Sequence, residues 1–269
     1  MDKIMFGRYI PGDSFIHKMD PRTKLALCFA LIILLFAIPP MDRIGYLLFI
    51  ILTLVLIKFS EIKFKLFVDS IKPLLFLILI TVVTQMLYTD VSKGHIFWSW
   101  GVFAISDYSM EKAVFMFLRF VLVIMLSTLL TLTTMPLSLA DALEWFMKPL
   151  AKFRFPAHEI SMMLAIALRF VPTLIEETQK IMDAQKSRGM DFANGSIIQK
   201  VKAIIPLLIP LFISGFNRAE DLAIAMEARG YRGGDGRTKY RQLNFARVDV
   251  VALLATICFF VLVLLLKGA

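Results

Sequence analysis

Apolar positions in this chain come in long runs separated by short polar connections, not in strict alternation. A helical bilayer span takes roughly 20 apolar residues, fewer where flanking Lys or Arg side chains reach the headgroups. Five segments qualify, at 25–41, 44–57, 73–88, 113–135 and 248–266. Thr81, Thr84 and Gln85 give the third a polar face expected to meet protein rather than lipid. In the connection that follows, Trp98 and Trp100 fit either an interfacial aromatic belt or a two-strand turn around Gly94 and Gly101.

The 112 residues at 136–247 form a stretch too long for a connection and too apolar for a free cytoplasmic domain, so they predict helices on or near the membrane. Residues 137–153, bounded by Pro136 and Pro156, read as one amphipathic helix. A longer one is expected at 158–188, with Pro172 placed to bend it and Glu176, Glu177, Lys180 and Asp183 on one side. Residues 204–213 are apolar but interrupted by Pro206 and Pro210, and ten residues do not span. Beyond Pro210, Phe212, Phe216, Ala219, Leu222, Ala223 and Met226 share one face at helical spacing, while Asn217, Arg218, Glu220, Asp221 and Glu227 lie elsewhere. The expected organisation is a membrane domain of four spans at 1–135, a coupling domain at 136–247 and a last span at 248–269.

Composition turns this pattern into a class. With 58% apolar residues, a mean hydropathy of +0.75 and 19% charged residues, 269 residues exceed the apolar surface a globule of this size buries, and only a bilayer takes the rest. The same figures exclude disorder. Cys28 and Cys258 both sit in apolar runs and are expected to be small core residues rather than a disulfide or a metal cage. Charged residues recur through Lys24, so the chain is expected to enter the membrane through its own first helix rather than a cleavable signal.

Charge sets orientation. Lys and Arg number 25 in residues 1–24, 58–72 and 136–247, against four in the alternate connections and the tail. Positive segments stay on the cytoplasmic side, which predicts an amino end inside and a carboxyl end outside. The net charge of +9 raises nucleic-acid binding as a reading. However, the basic segment at 229–247 leads back to the last span, where anionic headgroups attract Lys and Arg, so membrane lipids and no nucleic acid are the expected partners.

Two helices of the 136–247 stretch finish alike. One closes Ala184-Gln185-Lys186-Ser187-Arg188-Gly189, the other Ala225-Met226-Glu227-Ala228-Arg229-Gly230. Each is a helix-termination signal, with Gly in the left-handed conformation past the last turn and Arg complementing the helix dipole. As a pair they also point to a second use. Each places a planar five-donor fork at the tip of a rigid rod, a shape suited to an acidic or polar groove on another protein.

With these residues the chain resembles the transmembrane T component of energy-coupling factor transporters, the vitamin-uptake relatives of ATP-binding-cassette importers. The resemblance covers nearly the whole length. It rests on Pro11, Asp13-Ser14, Asp20-Pro21-Arg22-Thr23-Lys24, Arg119, Thr133-Thr134-Met135-Pro136, Pro149-Leu150, Arg169-Phe170-Val171-Pro172 and the two Arg-Gly helix ends, in that order. Ser187 departs from the family pattern, which more often has Ala there. The resemblance implies an all-α membrane protein of about five transmembrane helices with a cytoplasmic helical coupling domain. Two long coupling helices ending at Arg188 and Arg229 would dock on a pair of ATPase subunits, with Ala184, Ser187, Gly189, Ala225, Ala228 and Gly230 around them. The face from Phe212 to Met226 would serve packing and a separate substrate-binding membrane protein, the S component. The implied role is a non-catalytic scaffold of a micronutrient importer in a bacterial or archaeal cytoplasmic membrane, without a cofactor of its own, since ATP would sit on the partner subunits.

The remaining signals are structural. Asp20 and Pro21 suit the cap and first turn of a helix, and Arg22 and Lys24 suit anchoring at the inner headgroups. Arg119, six residues beyond Ala113 and about 9 Å along the fourth span, either reaches the outer interface or pairs within the protein. Arg169 is expected to pair with Glu176, Glu177 or lipid phosphate. No phosphate-binding loop occurs, Gly233-Gly234-Asp235-Gly236 reads as a flexible turn, and His158-Glu159 lacks the second His of a zinc protease. His17, His95 and His158 fall in separate segments, so no shared metal site is expected. Two rival classes, a membrane enzyme on lipid-linked substrates and a stand-alone secondary transporter, require convergent intramembrane carboxylates, histidines or ionic pairs, but acidic residues are almost absent from the spans and Arg119 alone qualifies for such a pair.

Overall fold

The computed structural model describes residues 9–87, 96–100, 103–149, 156–190, 196–233 and 243–266. Eight helices and one hairpin follow in the order α1 (Pro21–Ala37), α2 (Arg43–Ser60), α3 (Phe64–Leu87), β1 (Ile96–Trp100), β2 (Phe103–Ser106), α4 (Asp107–Thr133), α5 (Pro136–Met147), α6 (Ala157–Ser187), α7 (Ile197–Ala228) and α8 (Arg247–Leu266). The chain divides into two compact units, Met1–Ala142 with Gln242–Ala269, and Leu143–Arg241.

In the first unit, α1, α2 and α3 pack on α4, and α8 packs on α1 and α2. Leu34, Leu35, Tyr46, Phe49, Leu122, Leu126 and Val263 form its main core, with the Phe49 and Phe259 rings edge to face at 5.1 Å. A second cluster joins Ile16, Ile57, Phe67, Leu129 and Leu132. The outward faces are equally apolar, and Phe76 and Leu265 are 75% and 74% exposed. Side chains of this size on the outside of a helix bundle need hydrocarbon as solvent, so the chain is a multi-pass membrane protein.

Short polar devices fix where the helices start. Asp20 caps α1 by accepting the Arg22 N–H at 2.8 Å, with Pro21 in the first turn. The Asp20 N–H donates to Asp249 Oδ1 at 2.8 Å, and Asp249 Oδ2 accepts the Ala246 N–H at 2.8 Å. Asp249 is buried and ties the beginnings of α1 and α8 together, a role its sequence context did not announce. Lys24, expected at the headgroups, is instead buried. Its ammonium donates to Thr133 O at 2.9 Å and His17 O at 3.2 Å, closing the carboxyl end of α4 where cations suit the helix dipole. Arg22 is half-buried, with its guanidinium 5.9 Å from the Phe245 ring centroid.

Several boundaries differ from those read in the sequence. The third span begins at Phe64, not 73, because Pro73 lies inside a helix that continues through it. Thr81 and Thr84 need no protein partner, since each hydroxyl donates to the carbonyl one turn back, Leu77 O and Ile80 O. The fourth helix begins at Asp107, so Arg119 sits twelve residues in, about 18 Å along the axis. Arg119 Nη2 donates to Ile38 O at 2.7 Å past the end of α1, and the guanidinium lies 5.5 and 5.6 Å from the Phe36 and Tyr46 ring centroids. Of the two expectations for Arg119, pairing within the protein is the one realised. Of the two for the connection at 89–112, the strands are present. Among the described residues the only ones pair antiparallel with Trp100 opposite Phe103, while Gly94 and Gly101 fall outside those residues. Cys28 is half-buried, but Cys258 is exposed on α8 rather than in a core.

Residues 137–153, which begin in the first unit and continue into the second, do not run as one helix. The helix α5 ends at Met147, because Pro149 disfavours helical geometry at the residue before it, and 150–155 lie outside the described residues. The sharpest difference is α7, where Pro206 and Pro210 interrupt nothing and 32 residues run as one helix about 48 Å long. Among the described residues, six helices are long and apolar enough to cross a membrane, including His158–Ser187 and Lys202–Ala228. The reading of 204–213 as an interrupted segment of ten residues, too short to span, is therefore corrected. The first span, α1, has 17 residues.

Candidate functional site

The two Arg-Gly motifs close α6 and α7 with the same backbone geometry. At the first, Gly189 adopts φ +86°, its N–H donates to Lys186 O at 2.9 Å, and Met190 N–H donates to Gln185 O at 3.0 Å. At the second, Gly230 adopts φ +75°, its N–H donates to Glu227 O at 2.9 Å, and Tyr231 N–H donates to Met226 O at 3.0 Å. These are the paired 5→2 and 6→1 bonds of a glycine-terminated helix, which satisfy carbonyls otherwise left open and turn the chain away. The left-handed region admits Gly without penalty, which is why these two glycines stand where they do.

This termination leaves Arg188 and Arg229 at the two tips, both exposed, neither with an ion-pair partner among the described residues. Ala184 and Ala225 lie one turn earlier and are also exposed, as are Ser187 and Ala228, the last helical residues. Ser187 turns its hydroxyl to Asp183 O at 3.1 Å, so the small polar residue is absorbed by its own helix. Each tip thus presents one guanidinium beside small side chains on a rigid rod. Such a surface is chemically equipped for planar multidentate hydrogen bonding to carboxylates or carbonyls.

Upstream of the tips the two helices cross. Glu177 of α6 accepts from Arg218 Nη2 of α7 at 3.1 Å and from the Ser214 hydroxyl. Arg218 Nη1 donates to Thr173 Oγ1 at 3.2 Å, and the guanidinium lies 5.6 Å from the Phe170 ring centroid. Arg169, expected to pair with Glu176, Glu177 or lipid phosphate, is exposed, and of these the Glu177 carboxylate is taken by the opposite helix. Pro172 lies within the continuous α6. The apolar stripe of α7 divides in two. Phe212 and Phe216 are 63% and 72% exposed, whereas Ala219, Leu222, Ala223 and Met226 line a cavity shared with α6. Elsewhere in this unit, Ser161 donates to Glu144 at 2.5 Å beside His158, a contact that the sequence did not reveal. The glycine-rich turn is described only as far as Gly233, and the segment 234–242 lies outside the described residues.

Residues 12–240 match the protein-family model CbiQ, described as "Cobalt transport protein". The chain is 52% identical over 252 residues to the "Energy-coupling factor transporter transmembrane protein EcfT" of Lacticaseibacillus paracasei, covering 94% of each chain. It is 49% identical over 265 residues to the protein of the same name from Lactococcus lactis, covering 98% of each. It is 43% identical over 268 residues to that of Macrococcus caseolyticus, covering 100% of each. Identity of this extent, along a chain that closes two long helices on Arg-Gly, assigns the protein to the EcfT family of energy-coupling factor transporter transmembrane proteins.

Proposed function

We propose that the chain is the scaffold and energy-coupling subunit of an ATP-driven importer of vitamins or other micronutrients. Arg188 and Arg229 are the plugs by which two ATPase subunits are engaged. The observation that carries this reading is the pair of identical glycine-terminated tips, each with an exposed guanidinium. In this reading α6 and α7 lie on the cytoplasmic side, the amino end is inside and the carboxyl end outside. ATP binds the partner subunits and not this chain, which performs no catalysis. Closure of the ATPases on ATP draws the two tips together, and the apolar face that includes Phe212 and Phe216 carries that displacement to the S component, tilting or releasing it. Family membership and the exposure of both tips support it.

The test is a complex purified from cells expressing the chain, with its co-purifying proteins identified by mass. Two nucleotide-binding chains and one small hydrophobic chain are expected. Arg188→Ala with Arg229→Ala abolishes coupled ATP hydrolysis and uptake of the vitamin that the recovered S component binds. Arg→Lys at either tip is also damaging, because an ammonium keeps the charge but loses the planar fork. Normal uptake and hydrolysis in the double alanine variant removes the mechanism.

A further inference from the structure

The crossing of α6 and α7 carries more than a packing contact. Glu177 lies eleven residues before Arg188, and Arg218 lies eleven residues before Arg229, so both arms beyond the Glu177–Arg218 pair are about 16 Å long. Five side chains from the two helices meet there. The Glu177 carboxylate takes a guanidinium and the Ser214 hydroxyl, while that guanidinium also reaches Thr173 and lies over Phe170. Guanidinium pairing of this kind is directional, so it fixes the register of one helix on the other.

Apolar packing is open beside it. Beside the pair lies a cavity of about 300 Å³, bordered by Ile166 and Leu174 of α6 and by Gly215, Leu222 and Met226 of α7. A methyl group added at Gly215 would touch nothing within 4 Å. Side chains that face a void lose the contacts by which ridges and grooves lock helices together. The polar group is therefore the directional contact between the two helices, with open space beside it.

We propose that the Glu177–Arg218 pair, with Ser214 and Thr173, is the fulcrum of an equal-armed lever, and that Glu177 and Arg218 are positioning residues for energy coupling. The inference rests on the coupling role proposed above and adds to it the point about which the tips move. With the fulcrum in place, displacement of one tip rotates its helix. Without it, the same displacement slides one helix along the other and is lost before it reaches the substrate-binding partner.

The experiment uses the whole complex, with spin labels at Lys180→Cys and Asp221→Cys on the two arms in a chain whose Cys28 and Cys258 are replaced by alanine. Distances between the labels are measured without nucleotide and with ATP plus vanadate, alongside retention of the ATPase subunits and their hydrolysis rate. The unaltered crossing gives a narrow distribution that shifts with nucleotide. Arg218→Met and Glu177→Gln each broaden it and at least halve the shift, while ATPase retention stays as in the parent. Glu177→Arg combined with Arg218→Glu restores the narrow, shifting distribution. Should Arg218→Met fail to assemble, Glu177→Gln, which keeps an acceptor for Ser214, carries the test. Parental width and shift in Glu177→Gln overturn the fulcrum, as does loss in both single variants that charge exchange does not restore. A parent complex holding no ATPase subunit overturns the coupling reading and the fulcrum together.

Discussion

Replacing Gly189 or Gly230 separates the backbone requirement at the two tips from any question of space. Both glycines have positive φ, +86° and +75°, and a Cβ built at either meets nothing within 4 Å. A larger residue therefore adds no clash, and its whole cost is that of placing an L side chain in the left-handed region, roughly 1–2 kcal/mol, less for Asn. At that cost the glycine-terminated end loses about 5- to 30-fold in weight against frayed or redirected alternatives. An arginine on a frayed turn keeps its charge but not its direction. The expected order of ATPase retention and hydrolysis is Gly above Asn above Ala above Val at both positions, with larger losses when both tips carry the change. Gly215→Ala is the control. It lies in open space within α7 without the positive φ, and there alanine is neutral or gains up to about 1 kcal/mol. Retention by Val equal to that by Asn at both tips, or a loss at Gly215 as large as at the tips, refutes the requirement for a left-handed terminus.

Two further predictions concern the bundle that carries the membrane spans. Asp249 uses one carboxylate oxygen for the Asp20 N–H and the other for the Ala246 N–H. Asn keeps one acceptor and Ala none, and each orphaned buried donor costs about 1–3 kcal/mol, so thermal unfolding in detergent falls in the order Asp, Asn, Ala; equal midpoints for Asn and Ala contradict the two-acceptor role. Arg119→Met removes the donor to Ile38 O and the cation between Phe36 and Tyr46. Loss of a charged hydrogen bond of about 1.5–3 kcal/mol lowers the midpoint by roughly 5 °C, with Lys intermediate; an unchanged midpoint in Met returns Arg119 to a lipid-interface role.

What the sequence made legible follows from how local each cause is. Asp20-Pro21 starts a helix through a bond two residues away, and Gly189 and Gly230, each with the residue after it, end helices through bonds three and five residues back, so both could be read from the residues themselves. Pro206 and Pro210 misled because each removes a donor, yet they stand four apart in one helix, so the ladder loses bonds along a single side while 32 residues stay helical. Lys24 looked like a headgroup anchor since nothing local shows that the carbonyl it caps belongs to Thr133, far along the chain. Asp249 and Arg218 were illegible for the same reason: their partners Asp20 and Glu177 lie 229 and 41 residues away, and one sequence carries no record of which distant positions meet. The division has a functional consequence. The tips through which this chain engages its proposed partners are written by local rules and survive as motifs, whereas the point about which the tips turn arises only when two helices cross. Residues that decide coupling are thus to be sought at the crossing as much as at the ends.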